Sequence, residues 1–193
     1  MKKLIAIDLD GTTLNAQSLI SQRTEQVLKK AMANGHYVSI ATGRPYRLSH
    51  QFYRQLNLET PMVNFNGGLV HIPEKAWDRE RSSSVDREIV FDLLSQKNDL
   101  NLDFIAAENK ETFFIDTFDY FDSNFFAAEP NDKNLQTSQN MTTDPTSVML
   151  CPAKDQVERV YQSISSQYGD LLDVRTWGGS MPLLEVVAKG IQK

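Results

Sequence analysis

Two carboxylates follow a short apolar stretch near the start of the chain. Asp8 and Asp10 come after residues 4–7, which are all apolar and include two isoleucines. Such a run is typical of a strand that is buried on both faces within a parallel sheet. Because side chains alternate along a strand, we expect Asp8 and Asp10 to point to the same side, at the edge where α/β sheets bind ligands.

An acidic pair with this spacing is suited to phosphoryl chemistry at a divalent cation. Two carboxylates held close together resist joint ionisation unless a cation lies between them, and Mg2+ prefers oxygen ligands. One carboxylate can then attack phosphorus while the other carries protons. A calcium loop is excluded, since its glycine would fall on Thr13 and its bidentate glutamate on Leu19. The alternative is an ordinary solvated turn that is rich in aspartate.

Composition limits the possible partners and compartments. The chain has 193 residues and a net charge of −5, so nothing favours a nucleic acid or an anionic membrane as partner. The single cysteine, Cys151, excludes an internal disulfide and fits a reducing cytoplasm. It lies in an apolar run, so we expect a core residue rather than a nucleophile. No apolar run approaches membrane-spanning length.

The next segments predict a βαβ unit that brings a second loop to the same sheet edge. Ser21 is a candidate N-cap for a helix over 22–34, and a strand follows over 37–41. Thr42 and Gly43 end that strand, where a hydroxyl and a glycine amide can hold a phosphoryl oxygen. The alternative is a plain strand-to-helix turn with Thr42 as the helix cap.

The rest of the chain divides at a polar segment. A helix over 46–56, a strand over 62–65 and a hairpin turn at Asn66 precede residues 73–86, which are polar and mark a candidate domain boundary. Beyond it, helical and hairpin patterns alternate, which predicts an α+β insert. Four phenylalanines at near-helical spacing are expected in its core: Phe118, Phe121, Phe125 and Phe126.

Two of these stretches resemble motifs of one enzyme family. The string from Asp8 to Leu14 resembles motif I of the haloacid dehalogenase-like (HAD) phosphatase superfamily, and 41–45 resembles motif II of its Cof-type sugar-phosphatase branch. The resemblance makes Asp8 the nucleophile and Asp10 the general acid/base, both at a Mg2+ site.

The resemblance also assigns groups that bind phosphate or substrate. Phosphate would be bound by the Leu9 segment, Thr42, Gly43 and the motif III lysine, which falls on Lys193. Arg44 and Asn66 are candidates for contact with the substrate, although Arg44 would equally serve to cap the sheet edge.

The same resemblance implies an α/β fold, with a Rossmannoid parallel-sheet core and an inserted α+β cap domain. The expected division is 1–82 for the core, 83–182 for the cap and 183–193 for a return to the core. A further family motif, Gly-Asp-x-x-Asn-Asp, is not found, and Gly169-Asp170 is rejected because a polar helix precedes it. The chain therefore resembles only the front portion of the family's chain, and the strand over 4–7 would become an exposed apolar edge.

The leading expectation is a cytoplasmic Mg2+-dependent phosphomonoester hydrolase that acts on a small phosphorylated metabolite through an aspartyl-phosphate. One alternative is an inactive fragment or a phosphosugar-binding module. Another is a phosphomutase or phosphonate hydrolase, which uses the same nucleophile. The hypothesis that follows has two forms: this chain alone is poorly stable, or a second chain, a swapped dimer or crystal contacts supply the missing half of the core.

Overall fold

The computed structural model describes residues 1–177 and 181–193, and they form two compact units. The first unit comprises 1–82 together with 192–193, and the second comprises 83–191. In the described part of the chain, no helix is both long enough and apolar enough to cross a membrane.

The first unit begins with the predicted βαβ crossover. Its elements are β1 (Leu4–Ile7), α1 (Gln22–Ala33), β2 (Tyr37–Ile40), α2 (Tyr46–Gln55), β3 (Met62–Asn64), β4 (Leu69–His71) and β5 (Arg81–Ser82). Strands β1 and β2 pair in parallel, and a bridge from Ala41 to Val63 brings β3 alongside β2 in the same direction. Strands β3, β4 and β5 pair in antiparallel order, so the predicted polar boundary segment contains one short strand.

Helix α1 begins where the sequence predicts. The Ser21 hydroxyl accepts a hydrogen bond from the Thr24 N–H at 3.1 Å, which satisfies one of the free amides at the helix start. Both helices pack their apolar side chains against the strands. The shared core includes Leu9, Leu28, Val38, Ile40, Phe52, Leu56 and Met62.

Strand β1 is not buried on both faces as its composition predicts. Leu4 is 68% exposed and Ala6 is also exposed, whereas Ile5 and Ile7 are partly buried, so the sheet face to which Leu4 and Ala6 point is uncovered. Strand β1 also pairs with β2 on one side and with no other strand of the described residues. Strand β1 is therefore an exposed apolar edge, as expected from the resemblance to only the front portion of the family's chain.

The second unit is built on one five-stranded antiparallel sheet. Its elements are α3 (Arg87–Ser95), α4 (Lys97–Leu100), β6 (Leu102–Glu108), β7 (Phe113–Ile115), α5 (Ser123–Phe126), β8 (Ser147–Pro152), α6 (Val157–Tyr168), β9 (Leu172–Thr176) and β10 (Leu184–Ala188). The strand order is β7-β6-β8-β10-β9. Side chains of α3 and α6 share one apolar cluster with the sheet, and a second cluster contains the predicted phenylalanines and the buried Cys151.

Along the sequence, the first unit ends at residue 82, where the first boundary was expected, but the second unit ends at residue 191 and not at 182. Residues 183–191 belong to the second unit, because β10 pairs with both β8 and β9. The chain rejoins the first unit at Gln192, whereas the sequence pattern placed the return at 183.

Candidate active site

Asp8 lies directly after β1, and the chain turns immediately beyond it. The turn Leu9–Thr13 is closed by the Leu14 N–H, which donates to the Leu9 carbonyl at 2.9 Å. Leu9 is fully buried, so neither its side chain nor its main chain is exposed to solvent in this conformation. Because β1 ends at Ile7, the strand alternation that predicted a shared direction for both carboxylates does not extend to Asp10.

The Asp8 carboxylate is held by two polar groups. Lys193 Nζ lies 2.5 Å from Asp8 Oδ1, and the Thr12 hydroxyl donates to Asp8 Oδ2 at 3.3 Å. The Asp8 side chain is 33% exposed, so a substrate can reach it from solvent. The predicted motif III lysine is thus in contact with the predicted nucleophile.

Asp10 is bound by Arg44 through two parallel hydrogen bonds. Arg44 Nε donates to Asp10 Oδ2 at 2.8 Å, and its Nη2 donates to Asp10 Oδ1 at 2.6 Å. This fork geometry fixes the carboxylate plane as well as neutralising its charge. The sequence left open whether Arg44 contacts the substrate or caps the sheet edge. In the structure its guanidinium lies at the sheet edge, where it binds Asp10 of the acidic turn.

The loop after β2 contains Thr42 and Gly43. Thr42 is fully buried, and its hydroxyl accepts a hydrogen bond from the Arg44 N–H at 3.1 Å. Its main chain is bonded to the β3 segment, with the Thr42 N–H donating to Val63 O and the Asn66 N–H donating to Thr42 O. A Cβ atom on Gly43 would lie 3.0 Å from the Asn66 side-chain amide, so the two predicted binding residues are in close contact.

The turn between β3 and β4 supports the segment that carries Lys193. Gly67 has a φ of +111°, which favours glycine, and a Cβ atom there would lie 3.1 Å from the Gln192 carbonyl oxygen. The absence of a side chain at Gly67 therefore allows residues 192–193 to lie close against this turn.

Three buried polar residues below the Thr42–Arg44 loop were not predicted as site residues. Ser49, Asn64 and His71 are each 0% exposed. The Asn64 amide nitrogen donates to the Arg44 carbonyl at 2.8 Å and to the Ser49 hydroxyl at 2.9 Å. One signal was available in the sequence, since asparagine is depleted in strands and Asn64 ends β3.

Charges in the site are balanced pairwise. Each of the two carboxylates faces one basic side chain, so their mutual repulsion is offset without a metal ion. Both ion pairs are partly exposed, and such pairs contribute at most about 1 kcal/mol each. A phosphate dianion can therefore compete for Arg44 and Lys193 at small cost.

The oxygen donors present fit Mg2+ in kind. This ion is commonly held by one or two carboxylates together with substrate phosphate and water. The donors that would hold it are the Asp8 carboxylate and, by the resemblance, the Asp10 main-chain carbonyl. Among residues 1–177 and 181–193, no three or more His, Cys, Asp or Glu side chains are grouped as a metal site.

The model of the haloacid dehalogenase-like hydrolase family matches residues 5–193. The chain belongs to this family. The membership that the motif I and motif II stretches predicted is therefore confirmed, and the match extends over residues 5–193.

Curated relatives and solved structures of HAD-like proteins agree with this assignment. A 5-amino-6-(5-phospho-D-ribitylamino)uracil phosphatase of Bacillus subtilis strain 168 is 33% identical over 98% of this chain and 71% of its own length. A protein of Metamycoplasma hominis described as a phosphatase is 29% identical over 98% of this chain and 71% of its own length. These relatives place the chain among the HAD phosphatases.

A solved haloacid dehalogenase-like hydrolase from Bacteroides thetaiotaomicron has the same fold. It superposes with a TM-score of 0.80 at 19% identity, covering 99% of this chain and 73% of its own length. The predicted fold class, a HAD-like α/β core with an inserted cap, is confirmed.

Proposed function

We propose that this protein is a Mg2+-dependent phosphomonoester hydrolase that works through an aspartyl-phosphate on Asp8. The observation that carries the proposal is the contact between the exposed Asp8 carboxylate and the Lys193 ammonium at 2.5 Å. A carboxylate attacking a phosphate dianion must overcome charge repulsion, and a fixed ammonium beside it reduces that barrier.

The two carboxylates divide the chemistry between them. An Asp8 oxygen attacks phosphorus, and the bond from phosphorus to the ester oxygen breaks. Asp10 donates a proton to the departing oxygen, so the product leaves as an alcohol. Asp10 then takes a proton from the water that attacks the aspartyl-phosphate, which releases inorganic phosphate and restores Asp8. Arg44 holds both carboxylate oxygens of Asp10, so at least one of them must be released before Asp10 can transfer a proton.

The remaining predicted residues bind the phosphoryl group. Gly43 lies in the loop after β2, where its amide would bind an equatorial oxygen. The Leu9 and Thr42 segments are buried in the unliganded chain and would have to expose their main chain to bind phosphate as well. Mg2+, when held by the Asp8 carboxylate and the Asp10 carbonyl, would offset negative charge on the phosphate. Asn66, in contact with Gly43, is positioned beside this group of ligands.

The proposed substrate is a small phosphorylated sugar or polyol. The Bacillus subtilis relative is named for a substrate that carries a phosphorylated ribityl group, which is a polyol phosphate. We extend only that chemical class to this chain. The net charge of −5 supports a small phosphorylated metabolite rather than a nucleic acid.

A second candidate function is phosphate or phosphosugar binding without turnover. It is favoured by one observation, namely that the described residues contain no group of three or more metal-ligating side chains. Binding would need only Lys193, Arg44 and the loop amides.

We also propose that a second polypeptide chain pairs with the free edge of β1. The strand leaves backbone groups unpaired and exposes Leu4 and Ala6. Exposed apolar edges of this kind pair readily with another strand.

The experiment that separates the two functions is steady-state hydrolysis of an aryl phosphate by the wild-type chain and by Asp10→Asn. With Mg2+, we expect wild-type turnover and a loss of about 100-fold or more in Asp10→Asn, since general acid/base groups contribute at least that factor. Chelation of Mg2+ should stop the wild type as well. Phosphate binding with no turnover under any of these conditions would reject the hydrolase and favour the binding function.

A further inference from the structure

A buried hydrogen-bond network lies below the loop that carries Thr42 and Arg44. Asn64 is fully buried at the end of β3 and donates to the Arg44 carbonyl at 2.8 Å and to the Ser49 hydroxyl at 2.9 Å. The Ser49 hydroxyl in turn donates to the Pro45 carbonyl at 2.8 Å. The Asn64 amide therefore binds the Arg44 carbonyl directly and is linked to the next carbonyl, that of Pro45, through the Ser49 hydroxyl.

His71 determines which way the Asn64 amide faces. Both hydrogens of the amide nitrogen are used by Arg44 and Ser49, so the amide oxygen must face His71 Nε2, which lies 3.0 Å away. An oxygen accepts only from a protonated nitrogen, and His71 therefore carries a proton on Nε2. The imidazole packs against the edge of the Tyr46 ring, with 4.9 Å between the ring centroids.

The network connects the interior of the first unit to the acidic turn. The Arg44 carbonyl is held by Asn64, its N–H is held by Thr42 Oγ1, and its guanidinium holds both oxygens of Asp10. A buried amide with two donors and one acceptor costs stability unless every group is paired, and here each is paired with a group that fixes the loop.

We propose that Asn64 is a positioning residue for the Thr42–Arg44 segment, and that His71 maintains the orientation of its amide. Neither residue contacts the reacting atoms. Both act by fixing the backbone from which phosphate is bound and Asp10 is aligned. The role in phosphate binding rests on the proposed function, whereas the fixing of the loop does not.

The test compares four variants by two measurements. Asn64→Asp replaces the donating nitrogen by an oxygen that faces the Arg44 carbonyl. His71→Leu removes the donor to Asn64, and His71→Gln keeps an N–H at a similar place. Thr60→Val is the control, because it removes a hydroxyl that donates to the Val38 carbonyl in the same unit, away from the network.

The first measurement is hydrogen exchange of residues 42–46 in the unliganded chain, and the second is binding of inorganic phosphate by calorimetry. We expect Asn64→Asp and His71→Leu to speed exchange and to weaken phosphate binding by about tenfold or more. Asn64→Asp leaves the Arg44 carbonyl with only the longer hydrogen bond from the Phe65 N–H at 3.4 Å, and His71→Leu leaves the buried Asn64 oxygen without the donor from His71. His71→Gln should restore both quantities to within about threefold of wild type, a partial loss that allows for imperfect amide geometry. Thr60→Val should leave both at the wild-type value.

The proposal is overturned if His71→Gln and His71→Leu behave alike, or if Thr60→Val speeds exchange at 42–46 as much as Asn64→Asp does. If Asn64→Asp does not fold, the comparison of the two His71 variants decides the matter. A wild-type chain that binds no phosphate rejects the proposed function alone, since the exchange measurement still tests the fixing of the loop.

Discussion

Each acidic side chain of the turn after β1 is bound by one basic side chain. Asp8 meets Lys193, and Asp10 meets Arg44. The pairing offsets the repulsion between two acidic side chains that are close in sequence, since each has a basic group in contact. It also implies that substrate phosphate replaces a carboxylate as the partner of at least one base.

Asp8→Asn is expected to abolish turnover of an aryl phosphate while leaving the fold intact. The amide is a poor nucleophile, and loss of a nucleophile lowers the rate by at least about 10³-fold. Steady-state rates and thermal melting curves check both parts. Asp170→Asn is the matched control, because the Gly169-Asp170 stretch is not assigned to the metal site. A wild-type rate in Asp8→Asn would remove this residue from the nucleophile role.

Lys193→Ala is expected to lower kcat on the order of 10²-fold, the cost of losing one fixed electrostatic contact to the transition state. Its melting temperature should change little, since the ion pair with Asp8 is partly exposed. The measurement is kcat and KM for an aryl phosphate. An unchanged kcat would mean that Lys193 binds Asp8 only in the unliganded protein.

Cys151 is expected to resist alkylation in the native protein at pH 8. Burial in the sheet of the second unit raises the pKa of its thiol to about 11, so little thiolate is present. Labelling with iodoacetamide should be slow under native conditions and fast in urea. Rapid native labelling would contradict both its burial and its assignment to the core.

At the scale of elements, the βαβ unit and the α+β character of the inserted segment could be predicted from the sequence. Apolar runs and turn residues predicted β2, α1 and the β3–β4 hairpin, because local patterns determine these elements. The exposure of β1 could be predicted only from the resemblance to the front portion of the family's chain, since the apolar run itself is typical of a buried strand. The role of Asn64 was not readable, because its partners lie up to 20 residues away in sequence.

The end of β10 carries a pH-dependent contact. The Gly190 N–H and the Lys189 side chain hold the pKa of Asp173 below its usual range. A lowered pKa in the folded state means that the contact stabilises the protein above the unfolded pKa of about 3.9 and is lost as the pH falls through the folded value.

Asp173→Asn should therefore lower the melting temperature at pH 7, and the difference from wild type should close as the pH falls below about 4. Thermal melting across this range checks the prediction. Asp119→Asn, on an exposed turn, is the control. A difference that persists unchanged at low pH would show that the carboxylate charge at residue 173 is not the cause.

At the scale of the whole molecule, the chain spans about 71% of the length of the curated relatives it matches. The free edge of β1 is the structural feature for which a second chain is proposed. Leu4→Lys places a charge on this edge and should reduce any self-association, because charged side chains protect exposed edges. Analytical ultracentrifugation over a range of concentrations checks this. A wild-type chain that stays monomeric throughout would reject pairing between copies.

The proposed mechanism requires that Asp8 becomes covalently phosphorylated. The most direct measurement is to mix Asp10→Asn with an aryl phosphate and Mg2+, quench in acid, and locate the phosphoryl group by mass spectrometry of peptides. We expect a phosphoryl group on the peptide that contains Asp8, and none when Asp8→Asn is added to the same chain. Turnover by the wild type with no phosphorylated peptide, together with full activity of Asp8→Asn, would contradict it.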